Sequence, residues 1–201
     1  IPEEKSGSQN VQRYFREVGL FHAIKRKLEF ATLDEALELV EDQILKEFGP
    51  AVEERVLDLA EIKMFKTADR AIVDALKKAM REAHYKDGEK IFCSGDHSDE
   101  IYFIRHGNVR IQLLLPDGGL HSLSTFKKGD FFGDMSFLDH AVRSANAVAS
   151  GNVALYVLSR AEFDKCVAQR KDIAAVLFEG LSRAISHRLR QNNIELRSLR
   201  L

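Results

Sequence analysis

The stretch that decides the fold is GDFFGDMSFLDHAVRSA, residues 129–145, in which two glycine-acid pairs precede a single arginine. Gly133 stands ten positions before Arg143. If the chain turns into a short helix after Gly133, the first amide groups of that helix have no intrahelical acceptor and point at one place, which suits an anion. Glycine also lets a ligand approach the backbone closely. The stretch therefore predicts an anion site built partly from main-chain amides.

Arg143 supplies the other wall of this predicted site. A guanidinium holds two phosphate oxygens with a planar pair of donors, which an ammonium group does poorly. Asp134 would be repelled by a phosphate unless its carboxylate faces another group, and a sugar hydroxyl is a natural donor for it. Together the two side chains predict a phosphate joined to a ribose.

The same residues have a plainer interpretation. Arg143 could be a surface arginine paired with Asp139 or Asp134, but such exposed pairs contribute only ~0–1 kcal/mol and fix no spacing. The hydroxyls of Ser136 and Ser144 could equally cap backbone groups. The combined spacing favours the ligand site.

Composition limits the classes of partner. The chain has 201 residues, and 30 Lys and Arg against 31 Asp and Glu give a formal net charge of −1, so no overall field attracts nucleic acid. Cys93 and Cys166 have neither CxxC nor metal-ligand spacing, which favours a reducing, cytoplasmic location. No apolar run approaches the ~20 residues of a spanning helix. The chain opens with Ile1 and Pro2, which indicates a piece of a longer protein.

Hydrophobic periodicity divides the chain into three zones. Apolar positions at helical spacing predict two helices within residues 11–48 and further helical structure over residues 52–85. Between residues 87 and 158, turn residues recur between short runs rich in Ile, Val, Phe and Tyr, which predicts a compact antiparallel β-roll. Helical spacing returns after Arg160. The predicted class is α+β, a jelly-roll-like β-roll flanked by N-terminal helices and C-terminal lid helices.

Two segments carry a family resemblance. YKDGEKIFCSGDHSDEIYFIRHGNVRI, residues 85–111, resembles the first half of the cyclic nucleotide-binding domain, and GDFFGDMSFLDHAVRSANAVA, residues 129–149, resembles its phosphate-binding cassette. The resemblance extends over residues 65–200 and implies a β-roll with helices that binds cAMP or cGMP. No cofactor is predicted beside this nucleotide.

The resemblance also implies a role for each cassette residue. Arg143 would bind the cyclic phosphate, with Ser144 close to the phosphate or base. Gly133, Met135 and Ser136 would lie near the phosphate through backbone or hydroxyl groups. The ribose position is usually Glu in this family, whereas here it is Asp134, which is one methylene shorter.

A second resemblance precedes the first. RYFREVGLFHAIKRKLEFATLDEALELVEDQIL, residues 13–45, is similar to the end of a STAS domain as found behind sulfate permease-type transporters. It implies the cytosolic tail of an inner-membrane anion transporter. The predicted domains are a STAS-like end over residues 1–48, a connecting helix over 49–67 and a cyclic nucleotide-binding domain over 68–201. Within the last, the roll spans about 85–160 and the C-terminal helices about 160–200.

The C-terminal helix has an apolar stripe of Leu177, Leu181, Ile185 and Leu189. A stripe of this kind packs on the roll, acts as a lid over a ligand, or pairs with the same helix of a second copy in a homodimer. The sequence leaves these alternatives open.

Three functions remain in competition. The first is a regulatory module for a cyclic nucleotide. The second is an interaction module whose pocket has drifted and is empty, which Asp134 favours. The third is a catabolite-activator-type transcription factor, which needs a helix-turn-helix after the long helix, and about a dozen residues after Leu189 are too few for it. The histidines lack metal-ligand spacing and no catalytic motif is present, so neither a metal site nor an enzyme is predicted.

Overall fold

The computed structural model describes residues 55–114 and 120–198. The helices predicted within residues 11–48 and the STAS-like segment lie outside these ranges. Among the described residues, no helix combines the length and the apolar character needed to cross a bilayer.

The described strands form one six-stranded antiparallel sheet that curls into a roll. They are β1 (Arg81–Tyr85), β2 (Lys90–Phe92), β3 (Glu100–Leu114), β4 (Leu120–Phe126), β5 (Phe131–Phe132) and β6 (Asn146–Ser159). The order is β1-β6-β3-β4, with β2 also pairing with β6 and β5 with β3. The two long strands, β3 and β6, pair from Glu100 opposite Ser159 to Gln112 opposite Asn146 and form the spine of the roll.

Alternation along the strands separates two cores, because successive side chains of a strand point to opposite faces. One set fills the inside of the roll: Tyr102, Ile104, Val109, Phe132, Ala147, Ala149, Val153, Leu155 and Val157. The residues between them, including Ile101, Phe103, Tyr156 and Leu158, face the other way and pack against helices. The sheet thus buries apolar side chains on both faces.

Helices cover the outer face of the sheet. They are α1 (Arg70–Ala79), α2 (Asp134–Asp139), α3 (Arg160–Gln169) and α4 (Asp172–Ser198), with two 3-10 turns at Leu59–Glu61 and Lys63–Phe65. Ile72, Val73 and Leu76 of α1 meet Phe163 of α3 and Leu177 of α4 in the outer core. The predicted α+β roll with flanking helices is confirmed.

The helix predicted over residues 52–85 is wrong at its end. Residues 81–85 form β1, in which Arg81 lies opposite Val157 and Tyr85 opposite Val153. Ala83 and Tyr85 pack against the interior of the roll. Pairing with β6 and burial of alternate residues therefore outweigh the helical spacing, and the roll begins at residue 81 rather than 85.

The connecting helix predicted over residues 49–67 is also wrong in its described part. Asp58 and Glu61 close a capping box around the first 3-10 turn. Ile62 then takes an extended conformation, with φ −64° and ψ 130°, and is fully buried. Two short 3-10 turns thus take the place of a continuous helix in this part of the chain.

Gly107 tests whether β3 requires glycine where it approaches the main chain of Asn152. Its φ is 78°, and a Cβ there would lie 2.3 Å from the main-chain oxygen of Asn152. Gly151 has a similar φ of 75° with nothing within 4 Å. Both alanine variants bear the left-handed backbone cost of about 1–3 kcal/mol, but Gly107→Ala adds a clash with backbone. We expect Gly107→Ala to lower the free energy of unfolding by about 1–3 kcal/mol more than Gly151→Ala, measured by urea denaturation. Equal losses would show that the contact relaxes without cost.

Candidate functional site

Helix α2 begins at Gly133, as the sequence predicts. Gly133 is the N-cap, with φ 78° and ψ 9° in the left-handed region. A Cβ at this position would lie 2.8 Å from Nη1 of Arg143 and 2.9 Å from the main-chain oxygen of Glu100. Glycine is therefore required twice, by its backbone conformation and by the closeness of the arginine.

The side chain of Arg143 is buried at the turn that Gly133 makes. It is 2% exposed. Its Nη1 donates to the main-chain oxygen of Gly133 at 3.0 Å, and its Nη2 donates to Ser98 Oγ at 2.8 Å and to the main-chain oxygen of Glu100 at 2.7 Å. The predicted association of Gly133 with Arg143 is thus a direct contact.

Aromatic rings complete the surroundings of this guanidinium. Its Cζ lies over the rings of Phe92, 4.2 Å from the centroid, and of Tyr102, 5.4 Å from the centroid. Asp139 accepts a hydrogen bond from the amide of Ala141 and Asp134 faces α4, so neither carboxylate pairs with Arg143. The interpretation of Arg143 as a paired surface arginine is wrong.

The charge of Arg143 is not balanced by a bonded carboxylate. Its three acceptors are neutral oxygens. Its Nε is buried and has no hydrogen-bond partner in the described part of the chain. Burial lowers the pKa of the guanidinium, and the nearby Tyr102 and Glu100 oppose that effect. A buried donor without an acceptor is costly, and an oxygen acceptor placed beside Nε would remove that cost.

The backbone at Arg143 is held by the turn after β2. The amide of Arg143 donates to the oxygen of Asp96 at 2.9 Å, and the amide of Gly95 donates to the oxygen of Arg143 at 2.8 Å. The amide of Ser94 donates to Asn146 Oδ1 at 2.8 Å. The segment before β6 is therefore fixed on both sides of the arginine.

Asp134 has a partner from the C-terminal helix. Arg188 Nη1 lies 3.5 Å from Asp134 Oδ1, and Arg188 Nη2 donates to the oxygen of Phe131 at 2.5 Å. The Arg188 guanidinium also lies 4.4 Å from the ring centroids of Phe126 and Phe131. Helix α4 is thus tied to the turn that carries the predicted site.

The other predicted residues divide between surface and interior. Met135 is 59% exposed, and Ser144 is exposed with its Oγ 3.8 Å from Met135 Sδ. Ser136 is buried within α2. In the predicted apolar stripe of α4, Leu177 and Leu181 are buried in the core. Ile185 and Leu189, further along the helix, are 36% and 60% exposed.

Sequence reasoning missed two polar contacts of the site. Arg188 lies on the stripe, seven residues after Leu181, and a polar residue at a stripe position is a signal that was available. Ser98 gives no such signal, because a lone serine in a polar turn resembles any other. In the described parts of the chain, no group of three or more His, Cys, Asp or Glu side chains is placed to hold a metal ion.

Comparison with known proteins finds relatives for a large part of the chain. Residues 82–170 match the family model of the cyclic nucleotide-binding domain. A CRP-like cAMP-activated global transcriptional regulator of Mycobacterium tuberculosis is 28% identical over 141 residues, which are 70% of this chain and 61% of that protein. The catabolite activator protein of Thermus thermophilus superposes with a TM-score of 0.59 at 28% identity, covering 68% of this chain and 62% of that one. A cyclic nucleotide-binding domain from Methylobacillus flagellatus gives 0.60 at 25% identity, covering 66% and 75%.

These comparisons confirm the predicted family resemblance for residues 82–170. The chain spans about three fifths of the length of the Mycobacterium regulator. The resemblance to a STAS domain is not shown by them and stays a prediction.

Arg188 should control how firmly the second half of α4 is held. Replacing it with methionine keeps much of the apolar stem but removes its bonds to Phe131 and Asp134. A hydrogen bond to a charged group contributes about 1.5–3 kcal/mol, so we expect amide hydrogen exchange over residues 185–198 to quicken by about 10–100-fold in Arg188→Met. Arg190→Met, at an exposed position of the same helix, is the matched control. Equal exchange in the two variants would show that Arg188 does not anchor the helix.

Proposed function

We propose that this chain is a regulatory module, and not an enzyme, that binds a cyclic nucleotide through Arg143 and the turn at Gly133. One observation carries the proposal: a buried guanidinium, whose Nε has no hydrogen-bond partner among residues 55–114 and 120–198, stands against a glycine turn that opens a helix. Three of its five N–H groups donate to neutral acceptors, and the proposal assigns the Nε–H to an anion.

The phosphate would be bound from two sides. Nε of Arg143 supplies a charged donor, and the first amides of α2 supply neutral ones. Because the guanidinium is withdrawn from water, its interaction with an anion is less screened than at the surface. Met135 and Ser144 lie beside each other at the surface and would border the ligand.

The ribose would be recognised by Asp134. A carboxylate has two oxygens with four lone-pair sites, so a bond from Arg188 to Oδ1 leaves acceptor capacity for a 2′-hydroxyl. Asp134 would therefore still offer the ribose an acceptor while it is bonded to Arg188.

Helix α4 would carry the signal. Arg188 joins it to Asp134, and a chain of aromatic rings joins α2 to it through α3. Phe137 meets Phe163 at 5.5 Å between centroids, and Phe163 meets Phe178 at 5.4 Å. A ligand shifts a two-state element only by its differential affinity, and a tenfold bias corresponds to about 1.4 kcal/mol. One charged hydrogen bond made or lost at Asp134 is of that size.

We propose adenine rather than guanine as the base. Asn192 lies one turn beyond Arg188 on the same face of α4 and is exposed. An asparagine amide pairs with the N6 and N7 edge of adenine through one donor and one acceptor. The names of relatives support the choice, since the Mycobacterium regulator is cAMP-activated and a Thermus thermophilus relative is a cyclic AMP receptor protein.

We also propose which other domain and which partners the module is joined to, and where it is located. A sulfate permease-type transporter in front of it rests on residues 13–45, and recovery of the full-length protein in the soluble fraction would contradict it. A homodimer through α4 rests on the exposed Ile185 and Leu189, and light scattering in solution tests it. The module is proposed to be cytoplasmic. It is also proposed not to bind nucleic acid, because the chain has no net positive charge.

The central proposal is tested by calorimetric titration with cAMP and cGMP. We expect Arg143→Lys to weaken binding by about 10–100-fold, because lysine cannot hold the protein acceptors and the phosphate together. Arg105→Lys is the matched control, since Arg105 also stacks on a ring, that of Tyr156, but outside the site. An absence of heat or thermal shift with either nucleotide at millimolar concentration would favour the empty interaction module instead.

The choice of base has its own test. We expect Asn192→Ala to reduce the preference for cAMP over cGMP by about 5–10-fold while affinity for cGMP changes little, since one pair of base contacts contributes about 1–3 kcal/mol. Asn193→Ala is the control on the neighbouring position. An unchanged preference, measured by competition between the two nucleotides, would remove Asn192 from base recognition.

A further inference from the structure

Three residues, Ser98 just before β3 and Glu100 and Tyr102 within it, contact the guanidinium of Arg143. Ser98 contributes its hydroxyl, Glu100 its main-chain oxygen and Tyr102 its ring. We propose that Ser98 is a positioning residue of the anion site, which sets the orientation of the Arg143 guanidinium without neutralising its charge. The inference rests on the proposed function for its ligand but not for its geometry.

The rings alone do not fix the orientation of the guanidinium. Contacts with the faces of Phe92 and Tyr102 fix the distance of the guanidinium from the two rings. A ring face, however, attracts a guanidinium with little preference for how the guanidinium is rotated within the guanidinium plane. Hydrogen bonds supply that preference because they are directional. Both N–H groups of Nη2 are used, one by Ser98 and one by Glu100, and together they determine where Nε points.

Glu100 is fixed independently of Ser98. Its carboxylate accepts from Arg81 Nη2 at 2.8 Å and from the hydroxyl of Tyr102 at 2.8 Å. Burial raises the pKa of Tyr102, so its hydroxyl remains a donor. A substitution at Ser98 therefore leaves the main-chain oxygen of Glu100 in place as the second acceptor of Nη2. The effect of that substitution reports on the contact between Ser98 and Arg143.

The neutral character of Ser98 matters for an anion site. A carboxylate within hydrogen-bond distance of Nη2 would compensate the buried charge and lessen the pull on a ligand phosphate. The carboxylate of Glu100, whose main-chain oxygen accepts from Nη2, is engaged by Arg81 and Tyr102. A hydroxyl orients the guanidinium without neutralising its positive charge, which then acts on the ligand.

The first test needs no ligand. With arginine labelled with nitrogen-15, NMR measures rotation about the Nε–Cζ bond of Arg143. We expect slow rotation in the native chain and in Ser98→Thr, which keeps the hydroxyl, and rotation faster by about tenfold or more in Ser98→Ala. Ser94→Ala is the matched control, because Ser94 lies in the same turn and its Oγ is 3.5 Å from the oxygen of Ser144. Equal rotation in Ser98→Ala and the native chain overturns the inference.

The second test uses the two phosphorothioate diastereomers of cAMP, in which sulfur replaces one or the other free phosphate oxygen. A fixed guanidinium distinguishes them. We expect Ser98→Ala to bring the ratio of the two affinities towards one and to weaken cAMP by about tenfold, with Ser98→Thr restoring both. Weaker cAMP binding with an unchanged ratio would indicate a merely structural role and overturn the inference. If the native chain binds no nucleotide while Ser98→Ala still frees Arg143, the proposed function fails and the positioning by Ser98 stands.

Discussion

The interaction on which the site depends is the burial of one positive charge among neutral oxygens. Arg143 is 2% exposed, and its bonded partners are two main-chain carbonyls and a hydroxyl. In most proteins a buried arginine pairs with a carboxylate, because an uncompensated charge destabilises the fold. Here the described residues place no bonded carboxylate on the guanidinium and no acceptor at its Nε. In the proposed function this difference separates a binding site from a structural ion pair.

Much of the surrounding structure follows from the need to hold that charge in place. Gly133 leaves room for the arginine, since a Cβ there would lie 2.8 Å from Nη1. The turn over residues 93–96 fixes the backbone of Arg143, while β5, paired with β3, brings Gly133 to it. The roll thus supplies three separate segments to one guanidinium, and a substitution in any of them alters the same group.

The sequence predicts the parts of this structure that local chemistry decides. The turn at Gly133 and the short helix after it follow from residue type and spacing, and the β-roll follows from regular turns between apolar runs. Residues 81–85 show where local chemistry stops being sufficient. REAHY continues the helical spacing of α1, but these residues form a strand because they pair with β6, which lies about 70 residues away in the sequence. Ser98 and Arg188 show the same limit for the site. Their importance arises from contacts across 45 and 54 residues, which no local pattern records.

Asp134 illustrates how a departure from the family pattern changes meaning in three dimensions. In the sequence its missing methylene counts against a ribose contact. In the structure the carboxylate meets a long arginine from α4, so a shorter acid is matched by a partner that reaches towards it. Under the proposed function, a ribose at Asp134 would share this carboxylate with Arg188 of α4. By reciprocity, a ligand whose affinity depends on the position of α4 alters the hold on that helix. The substitution is therefore as compatible with coupling between the turn and the helix as with an empty pocket.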